Sequence, residues 1–288
     1  MGDALRRALF TDPSTDDEFT RLGCVVRPFL DAQQVRAMTQ LNADLVPDGG
    51  ADFSATTLHD NAAHRWRVFE AIRAVTADRL REMMPRHTLV FAAFVSKRAR
   101  TTHGRVPLHQ DFWMVDNRMD PAVAFWCPLV DAGPHNGGLK TVPGVHRLLN
   151  HPYPINPKFR TPYHPRLSQL DREFARCPYV PAGSALIYDQ RMLHGSDENP
   201  SDHARIAFNC TLVPESQQLR LYDWDERSPE RMLVFDVDQP VLCRFRYGAA
   251  LDPRTDPGVR LEGAIESTVD PLTDDDMTFL RDVQRECV

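Results

Sequence analysis

The tetrapeptide Leu108-His109-Gln110-Asp111 sets an imidazole and a carboxylate two positions apart. On an extended segment, residues i and i+2 point to the same side, so both groups can reach one ion. A second histidine, His194, closes the segment Ile187-Tyr-Asp-Gln-Arg-Met-Leu-His194, which begins as an apolar run. Two imidazoles and one carboxylate make the facial set that holds non-haem iron(II) and leaves open positions on the metal. Eleven residues further on, Arg205 opens another apolar run, Ile206 to Val213. Guanidinium is always protonated and its planar fork matches a carboxylate. Arg205 is therefore the group expected to grip the far end of a dicarboxylic co-substrate. His-x-Asp alone is common by chance; the later histidine and arginine, each at a strand end, turn it into a pattern.

These groups need a scaffold that brings residues 109 and 194 together. Cys24-Val25-Val26 reads as a short buried strand ended by Pro28. Asp31 and Gln34 form a capping box for a following helix, and Leu30 and Val35 sit at the staple positions. Val35, Met38, Leu41 and Leu45 give that helix an apolar face. Residues 47–62 are rich in Gly, Asp and Asn and read as a loop. A second amphipathic helix spans about 65–84 and stops at Pro85. The period then changes. Leu89–Val95, Val123–Val130, Leu139–Val142, Ala185–Tyr188, Ile206–Val213 and Val241–Tyr247 are short apolar runs between Pro/Gly turns, as in a sandwich or barrel. The stretch 273–287 is a last helix, with Thr273 as cap and Asp274, Asp275 and Asp276 at the positive end of its dipole. The expected organisation is a polar arm over 1–18 and one mainly β domain over 19–288. Its helices at about 31–46, 65–84 and 273–287 buttress the sheet, and a lid-like insertion covers about 150–178.

With 42% hydrophobic and 26% charged residues, the 288-residue chain has an ordinary globular composition. The net charge is −6, and Lys and Arg form no block of five, which argues against nucleic acid as a partner. The six cysteines are dispersed without a CxxC pair, which suits buried thiols in a reducing compartment better than disulfides or a zinc site. The N-terminus lacks a secretory apolar run and no stretch reaches the length of a membrane span, so the expected location is the cytoplasm, with no membrane partner.

The chain resembles the phytanoyl-CoA dioxygenase family of iron(II)/2-oxoglutarate oxygenases. The likeness rests on Leu108–Asp111, on Asn136-Gly-Gly-Leu-Lys-Thr-Val-Pro-Gly-Val-His-Arg147, on Pro181–Ser196 and on Arg205, and extends over roughly residues 19–215. It implies a double-stranded β-helix, a jelly-roll or cupin-like barrel. It also implies His109, Asp111 and His194 as iron ligands, Arg205 for the distal carboxylate of 2-oxoglutarate, and Ser196 assisting through its hydroxyl. Trp126 would line the co-substrate pocket, and Lys97 is a further co-substrate candidate. Val145 stands where the family usually has Ser, at a turn, and His146 is expected to be structural. The implied reaction consumes O2 and 2-oxoglutarate, releases succinate and CO2, and oxidises a C–H bond of a small molecule. Because Asp111 supplies a carboxylate, unlike in related halogenases, the implied outcome is hydroxylation, or a further oxidation such as desaturation or ring closure.

Two other readings use the same residues: a non-catalytic barrel that binds a small molecule or metal, and a metal-dependent hydrolase or isomerase on a cupin-like barrel. The candidate lid stretches, 98–106, 150–178 and 219–231, carry Arg98, Arg100, Arg160, His164, Arg166, Tyr222 and Trp224. That mixture suits a polar or anionic substrate with an apolar part. His103 and His164 are the other histidines that flanking loops could bring to the site.

Overall fold

The computed structural model describes residues 8–46, 51–156, 161–228, 230–245, 249, 251–267 and 269–285. Its main element is a six-stranded antiparallel sheet. The strand order is β1 (Cys24–Pro28), β7 (Ser184–Asp189), β5 (Val123–Pro128), β9 (Arg205–Pro214), β3 (His87–Lys97) and β2 (Phe53–Ala55). Alternation along β9 divides its two faces. Phe208, Cys210 and Leu212 turn to one side, where Phe19, Met38, Val68, Phe69, Ile72 and Leu80 cover them. These come from α1 (Pro13–Leu22), α2 (Ala32–Leu45) and α3 (Ala62–Met83). Arg205, Ala207, Asn209 and Thr211 alternate with that set and face the other way. β5 is covered on both faces and is buried throughout, which explains its unbroken apolar run.

The opposite face of the large sheet meets a second, three-stranded sheet: β4 (Val106–His109), β8 (His194–Ser196) and β6 (Lys140–Thr141). Ala124, Trp126, Leu186 and Tyr188 from the large sheet share one core with Leu108, Trp113, Leu139, Val142 and Leu193. A third sheet, β10 (Arg220–Trp224), β11 (Arg231–Val237) and β12 (Val259–Glu266), closes one end. The fold is thus mainly β, antiparallel, with flanking helices. Among the described residues no helix is long and apolar enough to cross a membrane.

The Asp31/Gln34 capping box at the start of α2 is present, with both reciprocal hydrogen bonds made. At the C-terminal α6 (Asp274–Arg285), the Asp276 N–H donates to the Thr273 hydroxyl at 3.2 Å. Three expectations need correction. Residues 13–22, expected within a polar arm, form α1: Asp12 caps it through the Thr15 N–H, Pro13 starts it, and Leu9, Phe10 and Phe19 are buried. Residues 1–7 of that arm, like Tyr247 and Cys287, lie outside the described residues. The run from Val241, expected as a strand, belongs to α5 (Gln239–Arg244), which Pro240 opens from within the first turn. Part of the stretch expected as a loop, 47–62, is ordered as β2 and the short 3-10 turn Thr56–Leu58, paired to β3.

The described part of the expected insertion, 150–156 and 161–178, is built into the body of the protein. It contains the turn His164–Arg166, then α4 (Leu167–Gln169) and a π-turn at Leu170–Phe174. Tyr153, Tyr163, Leu170 and Phe174 are core residues, and Asp171 pairs with the buried Lys140 ammonium at 2.6 Å.

Candidate metal centre

β4 and β8 run antiparallel, and His109 and His194 are register partners across that ladder. Their rings stand 4.4 Å apart, centroid to centroid. Asp111 follows the end of β4, and its Oδ1 lies 3.8 Å from His194 Nε2. One ligand atom from each of His109, Asp111 and His194 falls within 4.8 Å of the others. Gly195 is what lets the strands come this close: a Cβ there would stand 2.7 Å from the Val106 carbonyl oxygen.

The imidazoles are aimed by the backbone. His109 Nδ1 is 2.9 Å from the Pro107 carbonyl oxygen, and His194 Nδ1 is 3.2 Å from that of Met192. A carbonyl only accepts, so each Nδ1 carries the proton and each Nε2 keeps a free lone pair. Burial, helped by neighbouring His109, pushes the His194 imidazole down to about 4, against the opposing pull of Asp111. A neutral imidazole is the form that ligates a cation.

Arg205, only 2% exposed, lies deeper in the same cavity with its guanidinium 5.3 Å from the Trp126 ring. Its Nε and Nη1 are buried without a hydrogen-bond partner, and burial pulls it below the usual arginine range, to about 10. A buried cation with two unused N–H directions is an open fork for a carboxylate. Ser196 and Trp126 line the same cavity. Lys97 does not: its Nζ donates to the carbonyls of Gly104, Ser196 and Asp197, which makes it a tie between β3 and the chain around β8. Its expected co-substrate role is corrected accordingly. His146 is structural, buried against Thr20 at the end of α1. His103 and His164 are exposed and stand apart from the cluster.

Among the described residues of the expected lid stretches, only Val106 reaches the cavity wall. Tyr222 and Trp224 are core, Arg100 and Arg166 pair with Asp202 and Asp274, and Arg160 lies outside the described residues. The wall is completed by residues that carry no sequence signal of function: Phe53, Leu58, Phe91, Phe112, Asn209 and Phe245. Asn209 and Thr211 share a strand face with Arg205, and strand period could have found them.

A family profile described as phytanoyl-CoA dioxygenase matches residues 23–207. The chain is 29% identical to the ectoine dioxygenase of Halomonas elongata over 255 residues, covering 77% of this chain and 76% of that protein. Solved structures share the fold. SnoK, a non-haem alpha-ketoglutarate-dependent carbocyclase from nogalamycin biosynthesis, matches with a TM-score of 0.56 at 18% identity, covering 84% of this chain and 93% of its own. The epimerase SnoN, in complex with Fe3+, alpha ketoglutarate and nogalamycin RO, matches at 0.52 and 18% identity, covering 90% and 94%. HygX from Streptomyces hygroscopicus, with nickel, 2-oxoglutarate and hygromycin B bound, matches at 0.51 and 15% identity, covering 71% and 88%.

Proposed function

The chain belongs to the phytanoyl-CoA dioxygenase family, and from that premise we propose that it is an iron(II)- and 2-oxoglutarate-dependent dioxygenase of a small molecule, with His109, Asp111 and His194 as the metal ligands. The observation that carries the assignment is the convergence of three ligand atoms within 4.8 Å beside a buried guanidinium with unused donors. When bound, iron(II) with 2-oxoglutarate and O2 supplies the oxidising power: the co-substrate leaves as succinate and CO2, and a substrate C–H bond is oxidised. The protein's own contribution is position and dryness. Pro107 and Met192 fix the two Nε2 atoms toward the ion. Arg205 would take the distal carboxylate, Ser196 would add its hydroxyl, and Trp126 backs the guanidinium.

We read the two facing sheets as a double-stranded β-helix, supported by the cavity between them and by the likeness to SnoK. Two similar structures come from nogalamycin biosynthesis, which supports a role in secondary metabolism. Among the described residues, Cys24, Cys127, Cys177, Cys210 and Cys243 stand outside any disulfide, which favours the cytoplasm. A metal-dependent hydrolase on the same barrel would use neither O2 nor the unpartnered donors of Arg205.

The test mixes protein, iron(II) and 2-oxoglutarate without oxygen. A weak visible charge-transfer band should form and vanish on aeration, with succinate released. Asp111→Ala should lower succinate release by about 100-fold or more, since even outer-sphere partners of a metal cost 10–100-fold. Retained turnover in that variant would sink the ligand assignment.

A further inference from the structure

The cavity has a volume of about 500 Å³, within the usual range for small-molecule sites. Among the described residues, the charge on its wall is already spoken for. Asp111 belongs to the metal set and Arg205 lies at the deep end under Trp126. The remaining cation on the wall among the described residues, Arg65, is turned onto main chain. Its Nε donates to Cys243 O at 2.7 Å, its Nη2 to Arg244 O at 2.8 Å, and its Nη1 to His59 O.

What faces the open space beyond the metal is aromatic and aliphatic. Phe112 follows Asp111 in the chain and meets Phe245 edge to face, with ring centroids 6.1 Å apart at 72°. Phe53, Phe91 and Leu242 complete that wall, and Leu58 stands at the opening with 62% of its surface exposed. The polar lining groups are neutral. The Thr56 hydroxyl accepts the Phe94 N–H at 3.1 Å, and the Gln110 amide donates to Arg191 O at 2.9 Å. The Asn209 amide oxygen is buried without a partner. A charged substrate would be desolvated here with no counter-charge among the described lining residues, which disfavours it against a neutral one. A flat apolar ring would gain area and edge-to-face contacts.

We propose that the substrate is a neutral, largely apolar small molecule with a flat ring portion that seats against Phe91, Phe112 and Phe245, and that a formal charge on that portion is selected against. This rests on the oxygenase reading above, and it replaces the polar or anionic substrate expected from the loop composition.

A matched series of probes tests it: 2-naphthol, 2-naphthoate and 2-naphthylmethylammonium, titrated calorimetrically and anaerobically into protein with saturating iron(II) and 2-oxoglutarate. The naphthol should bind about tenfold or more tighter than either charged congener. Equal or tighter binding of the carboxylate or the ammonium overturns the proposal. Phe245→Ala should weaken naphthol binding about fivefold, the loss of one aromatic contact; unchanged affinity removes the ring seat. The charge-transfer band, followed in the same samples, reads the oxygenase assignment separately. A preference for naphthol without the band would sink that assignment while the cavity's selectivity stands.

Discussion

At the deep end of the cavity lies Arg205, whose register partner on the β3/β9 ladder is Lys97, on two inner strands of a six-stranded sheet. At the mouth, the wall is a three-residue strand, a single 3-10 turn and the six-residue α5. The deep end is cationic and held by repeated backbone hydrogen bonds. The mouth is apolar; β2 is paired to β3, and the side chain of Arg65 joins His59 to Cys243 and Arg244 across it. The contrast follows from what each end must do. A carboxylate grip needs donors fixed within fractions of an ångström, which strands supply. A ring seat needs only shape, and short pieces on a rigid scaffold can be exchanged without disturbing the chemistry.

Arg65→Ala strikes the mouth hardest. Losing a buried guanidinium that serves three carbonyls should cost about 3 kcal/mol in urea unfolding, with faster amide exchange in α5. A loss below about 1 kcal/mol would show that the mouth does not hang on that group. Arg205→Met should raise the 2-oxoglutarate concentration needed for half-maximal succinate release by about 10–100-fold, because a charge-assisted pair is gone. The ligand-free variant should be no less stable than the parent, since the cation removed is buried and lacks partners at two of its nitrogens. An unchanged 2-oxoglutarate dependence would break the contrast at its deep end.

The smallest effect is a pH dependence. Burial, and then the nearby Arg205, pull Lys97 from 10.5 to about 8. Between those values the unfolded chain holds more protons than the folded one, so this group's contribution grows as pH rises and is lost as pH falls through about 8. The stability difference between the parent and Lys97→Met should therefore move in the parent's favour by about 1 kcal/mol per pH unit across that window. A flat difference in urea unfolding would mean that Lys97 titrates like a solvated lysine.

Sequence legibility follows the same division. His109, Asp111, His194 and Arg205 stand on or beside regular strands, so residue type, period and spacing pointed to them, and the family resemblance joined them into one set. Asp31 and Gln34 announce α2 locally, because a capping box is complete within four residues. The mouth leaves no comparable trace. Phe53 and Leu58 sit in a stretch whose Gly, Asp and Asn content signals a loop, and its pairing to β3 is a tertiary event. Val241, Leu242 and Cys243 look like strand because they are apolar and adjacent. The Pro240 that starts α5 is the stronger local signal, and burial of the helix against α3 completes it. Lys97 misleads differently: its position on the strand is right for the site, but three carbonyls claim its ammonium.

The antiparallel rung that joins His109 to His194 makes the proposed iron site a check on strand register. A slip of one residue between β4 and β8 would turn one imidazole to the far face of the small sheet. The ion can be gathered only by a chain that has zipped up correctly, so metal loading would double as proofreading of the fold.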